Sequence, residues 1–159
     1  MITRTVGPLS LAITAKESTG YNGGVTEAYP VFVGIDIGGT KIAIGVFTHP
    51  GENTLLRRET YACQPHSDPD VWYARLKNTL DRLLIRHQNR FLGRGHIGIG
   101  IPGQIQNDGS IGHCPNTPVL KKINVVAALK RDFQVPVLAE NDANLAALAE
   151  YHYGAGQGL

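Results

Sequence analysis

Charged and aromatic residues are scarce in this sequence, and long hydrophobic runs are missing. Charged residues make up 18% of the 159 residues and aromatic residues 7%, and the formal net charge is only +2. So small a charge, without a basic stripe, predicts neither nucleic acid nor an anionic membrane surface as a partner. No apolar run approaches the length of a transmembrane helix. Hydrophobic residues, at 42%, are still sufficient for one globular domain with a core.

Cysteine is also scarce, which bears on the compartment and on metal binding. Cys63 and Cys114 are the only two cysteines, and their separation does not match a metal-ligand motif. Two isolated cysteines are weak support for a disulfide. The expected state is therefore a pair of reduced thiols in a cytoplasmic protein.

The first thirty residues have no sustained hydrophobic period. Lys16 and Glu17 interrupt their one mildly apolar stretch too early for a signal peptide. Residues 1–30 are therefore expected to be a poorly ordered leader or extension, and the folded domain, residues 31–159, to begin near Val31.

What the sequence does contain is a hairpin with polar residues at its turn. Two runs rich in Val and Ile, Val31–Ile37 and Ile42–Phe47, are too short for ordinary helices and predict buried strands. Between them lies the turn Gly38–Lys41. Glycines let a backbone approach an anion closely and adopt positive φ, and consecutive N–H groups can then form an anion-binding nest.

The residues of this turn predict a phosphate site. Gly38 and Gly39 would present backbone N–H groups, and Thr40 and Lys41 would add a hydroxyl and an ammonium group. Asp36 near the end of an apolar strand is costly unless it is paired or holds hydrated Mg²⁺. The structural alternative is an ordinary β-hairpin in which the two glycines serve only the turn. The acid before the turn and Thr-Lys after it favour phosphate binding.

The rest of the chain predicts alternating strands and helices. The expected order is β-β-β-α-β-α-β-α, with a third strand over Thr54–Tyr61, a helix from Ser67 to about His87, a fourth strand over Ile97–Ile101, a helix capped by Asn124, a fifth strand over Val135–Ala139 and a last helix from Ala143 to about Tyr153. Three strands joined by tight turns, followed by strands reached through helices, predict an α/β fold. Its mixed sheet would carry helices on its faces.

A second group of candidate residues lies where the fifth strand meets the last helix. An aspartate at a helix N-terminus is commonly only a cap, and that is the structural alternative for Asp142. The functional interpretation makes Asp142 a general base beside an alcohol, with Asn141 hydrogen-bonded to a neighbouring hydroxyl. A phosphate hairpin earlier in the chain favours that interpretation, because phosphoryl transfer needs a carboxylate to accept the hydroxyl proton.

Two further positions carry a weaker signal. Gly103 follows the fourth strand, and Asn116 lies in a loop bounded by Pro115 and Pro118. The Gly103 backbone and the Asn116 amide could bind hydroxyl groups, although glycine and asparagine in turns usually serve the turn itself.

Four motifs in order make the chain resemble a known family. They are DIGGTK at Asp36–Lys41, GIGIPG at Gly98–Gly103, PN at Pro115–Asn116 and ENDAN at Glu140–Asn144. With them the chain from about Val31 to its end resembles the ROK family (repressor, open reading frame, kinase), especially its bacterial N-acetylglucosamine kinase and fructokinase branch. The resemblance implies an actin/hexokinase-like (ribonuclease H-like) ATPase lobe and ATP-dependent phosphorylation of a hexose or N-acetylhexosamine at its 6-hydroxyl.

The resemblance also implies roles for individual residues. It assigns the binding of the ATP phosphates and Mg²⁺ to Asp36, Gly38, Gly39, Thr40 and Lys41. It gives the sugar to Gly103, Asn116, Asn141 and Asp142, with Asp142 as the base that deprotonates the 6-hydroxyl. Mg²⁺ is the only metal expected on this chain, through Asp36.

The sequence departs from the family in one large respect. Kinases of the family have a second lobe with another glycine-rich phosphate loop, the adenosine pocket, a His/Glu sugar-binding pair and a His/Cys₃ zinc site. None of these motifs follows here, so the chain is expected to be the N-terminal lobe, with any zinc site and homodimer belonging to the full-length protein. Two readings stay open beside the kinase: a sugar-sensing regulator of the same family, for which residues 1–30 are too short to form a winged helix-turn-helix, and an inactive sugar-binding half-domain.

Overall fold

The computed structural model describes residues 30–48 and 54–157. Residues 1–29 of the expected leader lie outside the described part. The strands are β1 (Phe32–Ile37), β2 (Lys41–Phe47), β3 (Leu55–Ala62), β4 (His96–Ile101) and β5 (Val137–Asn141). The helices are α1 (Pro69–Leu84), α2 (Gln88–Phe91), α3 (Val125–Phe133) and α4 (Asp142–Tyr153), with a 3₁₀ turn at Pro118–Lys121. No helix in the described part is long and apolar enough to cross a membrane.

The five strands form one mixed sheet, as the sequence predicts. Their spatial order is β3-β2-β1-β4-β5. β1, β2 and β3 are antiparallel neighbours, whereas β4 and β5 run parallel to β1 and are reached through helices. The charged strand β3 lies at one edge, where its polar side chains reach solvent.

The hydrophobic core lies against one face of the sheet. Alternate strand residues point to this face because side chains along a strand alternate between faces. The core residues from the strands include Val33, Ile35, Ile37, Ile42, Ile44, Ile97, Ile99 and Ile101. The core residues from the helices include Leu76, Leu80, Leu129 and Phe133. Helices α1 and α3 therefore share one core with the sheet, and their three- and four-residue apolar spacing accounts for it.

The opposite face of the sheet carries small side chains. Gly34 and Gly98 lie opposite each other in the register of β1 and β4, and Gly100 lies opposite Asp36. Helix α4 approaches this face, since a Cβ atom on Gly100 would lie 3.4 Å from Leu145 Cδ1. None of the residues of α4 is buried. The two faces of the sheet thus differ sharply in how much apolar side-chain surface is packed against them.

The boundaries of the elements largely agree with the sequence, with a few exceptions. The helix predicted from Ser67 to about His87 runs from Pro69 to Leu84. The short helix α2 and the 3₁₀ turn were not predicted, and Phe91 of α2 is almost fully buried in the core. The fifth strand begins at Val137 and includes Glu140 and Asn141, because both residues extend the parallel ladder with β4. The Asn124 cap is confirmed, with its Oδ1 atom accepting from Ala127 N at 2.9 Å.

Candidate functional site

Three parallel strands bring the candidate residues to one edge of the sheet. β1, β4 and β5 run in the same direction, so their carboxyl ends lie side by side. Asp36 is near the end of β1, Gly103 follows β4, and Asn141 ends β5. Ligands of open α/β sheets commonly bind beyond the carboxyl ends of the parallel strands.

The turn between β1 and β2 is tighter than the sequence alone predicts. Gly38 N donates to Lys41 O at 2.9 Å, so this N–H group is used inside the hairpin. The expectation of positive φ is wrong, because neither Gly38 nor Gly39 has a left-handed backbone. Crowding explains the glycines instead: a Cβ atom on Gly38 would lie 3.2 Å from Lys41 O, and one on Gly39 would lie 3.1 Å from Asn116 Cβ.

The polar side chains of the hairpin are open to solvent. Asp36, Thr40 and Lys41 are all exposed. Across residues 30–48 and 54–157, no group donates a hydrogen bond to the Asp36 carboxylate, and no acidic side chain pairs with the Lys41 ammonium group. The Asp36 carboxylate and the Lys41 ammonium group have no such partner among the described residues, so both are available to a ligand.

Asn141 and Asp142 form the junction between β5 and α4. Asn141, not Asp142, is the N-cap: its Oδ1 atom accepts from Ala143 N at 3.0 Å and from Asn144 N at 3.3 Å. Asp142 is the first helical residue, and its Oδ1 atom accepts from Ala143 N at 2.9 Å. Because Asn141 supplies the cap, the structural alternative for Asp142 loses its main support.

Gly103 is tied to this junction by a hydrogen bond. Asn141 Nδ2 donates to Gly103 O at 3.2 Å, and Gly103 N donates to Ile101 O at 2.8 Å. A Cβ atom on Gly103 would lie only 2.7 Å from His113 O. Packing against the backbone of His113 therefore requires a glycine here, whatever the Gly103 backbone also binds.

Beside Gly103 lies an open cleft of about 820 Å³. Its lining residues are Pro102, Gly103, Gln104, Ile105, His113, Pro115, Ala139, Glu140, Asn141 and Asn144. Of the predicted sugar residues, Gly103 and Asn141 line this cleft. It has the concave form and mixed polar lining that small-molecule sites share.

Glu140 and Asn144 were missed as candidate residues, although both belong to the ENDAN motif. Glu140 Oε1 accepts from Asn144 Nδ2 at 3.0 Å and from Asn141 N at 2.8 Å. These two donors, the Asn144 side chain first, lower the pKa of the Glu140 carboxyl below its ordinary value. The Glu140 carboxylate thus stabilises the turn that contains Asn141 through two hydrogen bonds.

A second groove, of about 650 Å³, lies over the small-residue face of the sheet. Asp36 and Asp142 both line it, together with Gly100 of β4, the strand between β1 and β5. Asn116 lines neither cavity and instead lies against Gly39. The structure therefore divides the predicted residues: Gly103 and Asn141 share the cleft, Asp36 and Asp142 share the groove, and Asn116 contacts the hairpin.

Both cysteines lie behind the hairpin and loop. Cys63 and Cys114 are free and buried, and burial raises the pKa of both thiols. A raised pKa lowers the thiolate fraction, so neither thiol is activated as a nucleophile.

Comparison with known proteins gives a family and several relatives. The ROK family model matches residues 32–159. An N-acetyl-D-glucosamine kinase of Histophilus somni is 32% identical over 120 residues, which are 76% of this chain and 37% of that protein. The chain thus spans little more than a third of the length of the curated relatives it matches.

Solved structures of sugar kinases are similar in fold. A ROK family glucokinase from Streptomyces griseus, crystallised with glucose and AMPPNP, is 31% identical with a TM-score of 0.59, over 80% of this chain and 38% of that one. An inorganic polyphosphate/ATP-glucomannokinase from an Arthrobacter species is 28% identical with a TM-score of 0.67, over 82% of this chain and 51% of that one. The five-stranded mixed sheet is therefore of the actin/hexokinase-like type, as predicted.

Proposed function

The chain belongs to the ROK family, and on that basis we propose that it is the N-terminal lobe of an ATP-dependent sugar kinase. Residues 31–159 would supply half of the active site. The reaction is transfer of the γ-phosphoryl group of ATP to the 6-hydroxyl of a hexose or N-acetylhexosamine. The other half of the nucleotide and sugar sites would come from a second lobe.

One observation carries the proposal. Asp36, near the end of β1, and Asp142, directly after β5, line one groove, while Gly103 and Asn141 line the cleft. A phosphoryl transfer needs its donor and its acceptor to meet in line, with charge neutralised between them. Asp36 and Asp142 in one groove support the meeting of phosphoryl donor and acceptor there, and the cleft lined by Asn141, next to Asp142 in the chain, supports a sugar held beside the base.

Asp142 is the general base of the proposed reaction. Its carboxylate accepts the proton of the sugar 6-hydroxyl as the C6 oxygen forms a bond to the γ-phosphorus. The bond from the γ-phosphorus to the bridging oxygen breaks at the same stage, and ADP leaves with that electron pair. Asn141 and Gly103 hold the sugar, through the second Nδ2 hydrogen of Asn141 and the free lone pair of the Gly103 carbonyl.

The hairpin holds the phosphates of the nucleotide. Thr40 and Lys41 donate from an exposed hydroxyl and an exposed ammonium group, which lie beside the compact turn at Gly38 and Gly39. The Asp36 carboxylate, which accepts no hydrogen bond within the described residues, is suited to a water-ligated Mg²⁺. When bound with ATP, Mg²⁺ neutralises charge that develops on the phosphates.

N-acetylglucosamine is the first choice of sugar, ahead of glucose, N-acetylmannosamine and fructose. The support is the name of the curated relatives at 32–33% identity. A cytoplasmic location is part of the proposal, because both thiols are free and ATP is the phosphoryl donor.

The test is ADP release by the purified chain with Mg-ATP across these four sugars, together with sugar titrations followed by amide signals. We expect sugar binding to shift the amide signals of Gly103 and Asn141. Any sugar-dependent ADP release should fall by about 10²- to 10⁴-fold in Asp142→Asn, the range for loss of a general base.

Asp81→Asn is the matched control, because Asp81 lies in an exposed pair with Lys77 on α1, remote from the sheet edge. A loss common to both variants would argue against Asp142 as the base. Absence of any sugar-induced shift, with no ADP release, would contradict the proposal that this lobe carries half of the sugar site.

A further inference from the structure

The phosphate hairpin and the Asn116 loop are in direct contact. A Cβ atom placed on Gly39 would lie 3.1 Å from Asn116 Cβ and 3.2 Å from Asn116 O. Gly39 is not among the glycines with positive φ, so this close approach, rather than backbone conformation, is what makes a side chain there crowd the loop. The two segments are far apart in the sequence, and the fold presses them together at the sheet edge.

A second connection joins the same two segments from behind. Cys63 N donates to Thr40 O at 2.9 Å, and Val119 N donates to Pro65 O at 3.1 Å. The stretch from Cys63 to Pro65 is thus bonded to the hairpin on one side and to the end of the loop on the other. Thr117, between Asn116 and Val119, is fully buried, which anchors the loop.

We propose that Gly39 is a positioning residue for the sugar, because its contact with Asn116 makes the hairpin and the loop one unit. This inference rests on the proposed function, which gives the ATP phosphates to the hairpin, and on the sugar-binding role that the family resemblance implies for Asn116. A displacement of the hairpin then moves Asn116, and occupation of one site changes the affinity of the other. The nucleotide changes the affinity for the sugar by the same factor as the sugar changes the affinity for the nucleotide, since coupling between two binding equilibria is reciprocal.

Gly38 provides a matched comparison within the same turn. A Cβ atom on Gly38 would lie 3.2 Å from Lys41 O, inside the hairpin, and nothing of the loop is within 4 Å. Neither glycine has positive φ, so a left-handed backbone disfavours alanine at neither position. Gly38→Ala and Gly39→Ala therefore differ in whether the added methyl group meets the loop.

The test compares ¹H–¹⁵N spectra of the 159-residue chain with Gly38→Ala, Gly39→Ala and the double variant Gly39→Ala/Asn116→Gly. We expect Gly39→Ala to shift the amide signals of Asn116, Thr117 and Val119, and Gly38→Ala to shift only those of the hairpin. The double variant should return the Thr117 and Val119 signals part of the way towards their original positions, because removal of the Asn116 Cβ atom relieves one of the two close contacts of the new methyl group, the other being with Asn116 O.

Unchanged loop signals in Gly39→Ala, or equal loop shifts in Gly38→Ala, would overturn the inference. A titration with N-acetylglucosamine then measures the effect on binding: Gly39→Ala should raise the dissociation constant about fivefold or more, the lower end of common coupling factors. An unchanged constant in Gly39→Ala would also overturn it. If the wild-type chain binds no sugar, the proposed function fails, and so does the role of Gly39 towards the sugar, while the spectra still show whether the two segments move together.

Discussion

The hydroxyl groups of Tyr61 and Tyr73 have different hydrogen-bonding environments. The Tyr61 hydroxyl is buried without a hydrogen-bond partner of good geometry in the described part of the chain, and the Arg75 guanidinium lies 4.5 Å from the centre of its ring. Burial is the main cause that raises the pKa of Tyr61 to about 12. The Tyr73 hydroxyl instead donates to Asp132 Oδ2 at 2.9 Å, joining α1 to α3.

Phenylalanine substitutions at these two positions should have opposite consequences. Tyr73→Phe removes a hydrogen bond to a carboxylate and should lower the free energy of unfolding by about 1.5 kcal/mol. Tyr61→Phe removes a buried hydroxyl that satisfies nothing and should leave that free energy unchanged or slightly raised. Urea unfolding at pH 7 measures both, and an equal loss in the two variants would contradict the difference in hydrogen bonding.

At the scale of the elements, two helices carry the same kind of cap but contribute unequally to the core. Asn124 caps α3, which buries five residues, and Asn141 caps α4, which buries none. Asn124→Ala should lower the free energy of unfolding by about 1 kcal/mol, a usual value for a lost cap. Asn141→Ala should reduce the helical circular-dichroism signal with a smaller loss of global stability, because fraying of α4 uncovers no core.

Thermal unfolding of the two variants, followed by circular dichroism, distinguishes these effects. Both substitutions delete the same amide group at the same helical position, so each variant is the control for the other. A fall in midpoint as large for Asn141→Ala as for Asn124→Ala would mean that α4 is held by more than its cap.

Most of the elements follow from side-chain patterns, and the exceptions have a common physical cause. Alternating and continuous apolar runs predicted β1, β2 and β4 to within one residue at each end. Glu140 and Asn141 have side chains typical of a turn, yet their backbone pairs with β4, so tertiary hydrogen bonds override local propensity.

The candidate site was predictable as residue types but not as an arrangement. The motifs contain Asp36, Asn141 and Asp142, but the sequence does not say which asparagine or aspartate caps the helix. Nor does it show that Gly39 meets Asn116, because that contact depends on how the strands and loops pack. The types of the site residues could therefore be predicted from the sequence. The distances and contacts between those residues could be known only from the fold.

At the scale of the whole molecule, the two faces of the sheet are unequally covered. One face shares its core with α1 and α3, whereas the other carries small residues and an open groove of about 650 Å³ beside α4. The chain also spans only 37% of the length of the curated relatives. The architecture therefore concentrates its stability in the centre of the sheet and leaves the site-bearing helix α4 weakly attached.

This distribution predicts a gradient of hydrogen exchange. β1 and β4 are hydrogen-bonded to strands on both sides and carry fully buried isoleucines, so their amides should exchange only by global unfolding. Amides of α4 should exchange by local opening, with a free energy that falls towards zero in its last turn, because none of its residues is buried. Amide exchange followed by NMR, with increasing denaturant, separates the two classes, since local opening depends little on denaturant. Protection of α4 equal to that of β1 would mean that contacts beyond its cap hold the helix, and Asp142 would then stand on a rigid element even in this chain.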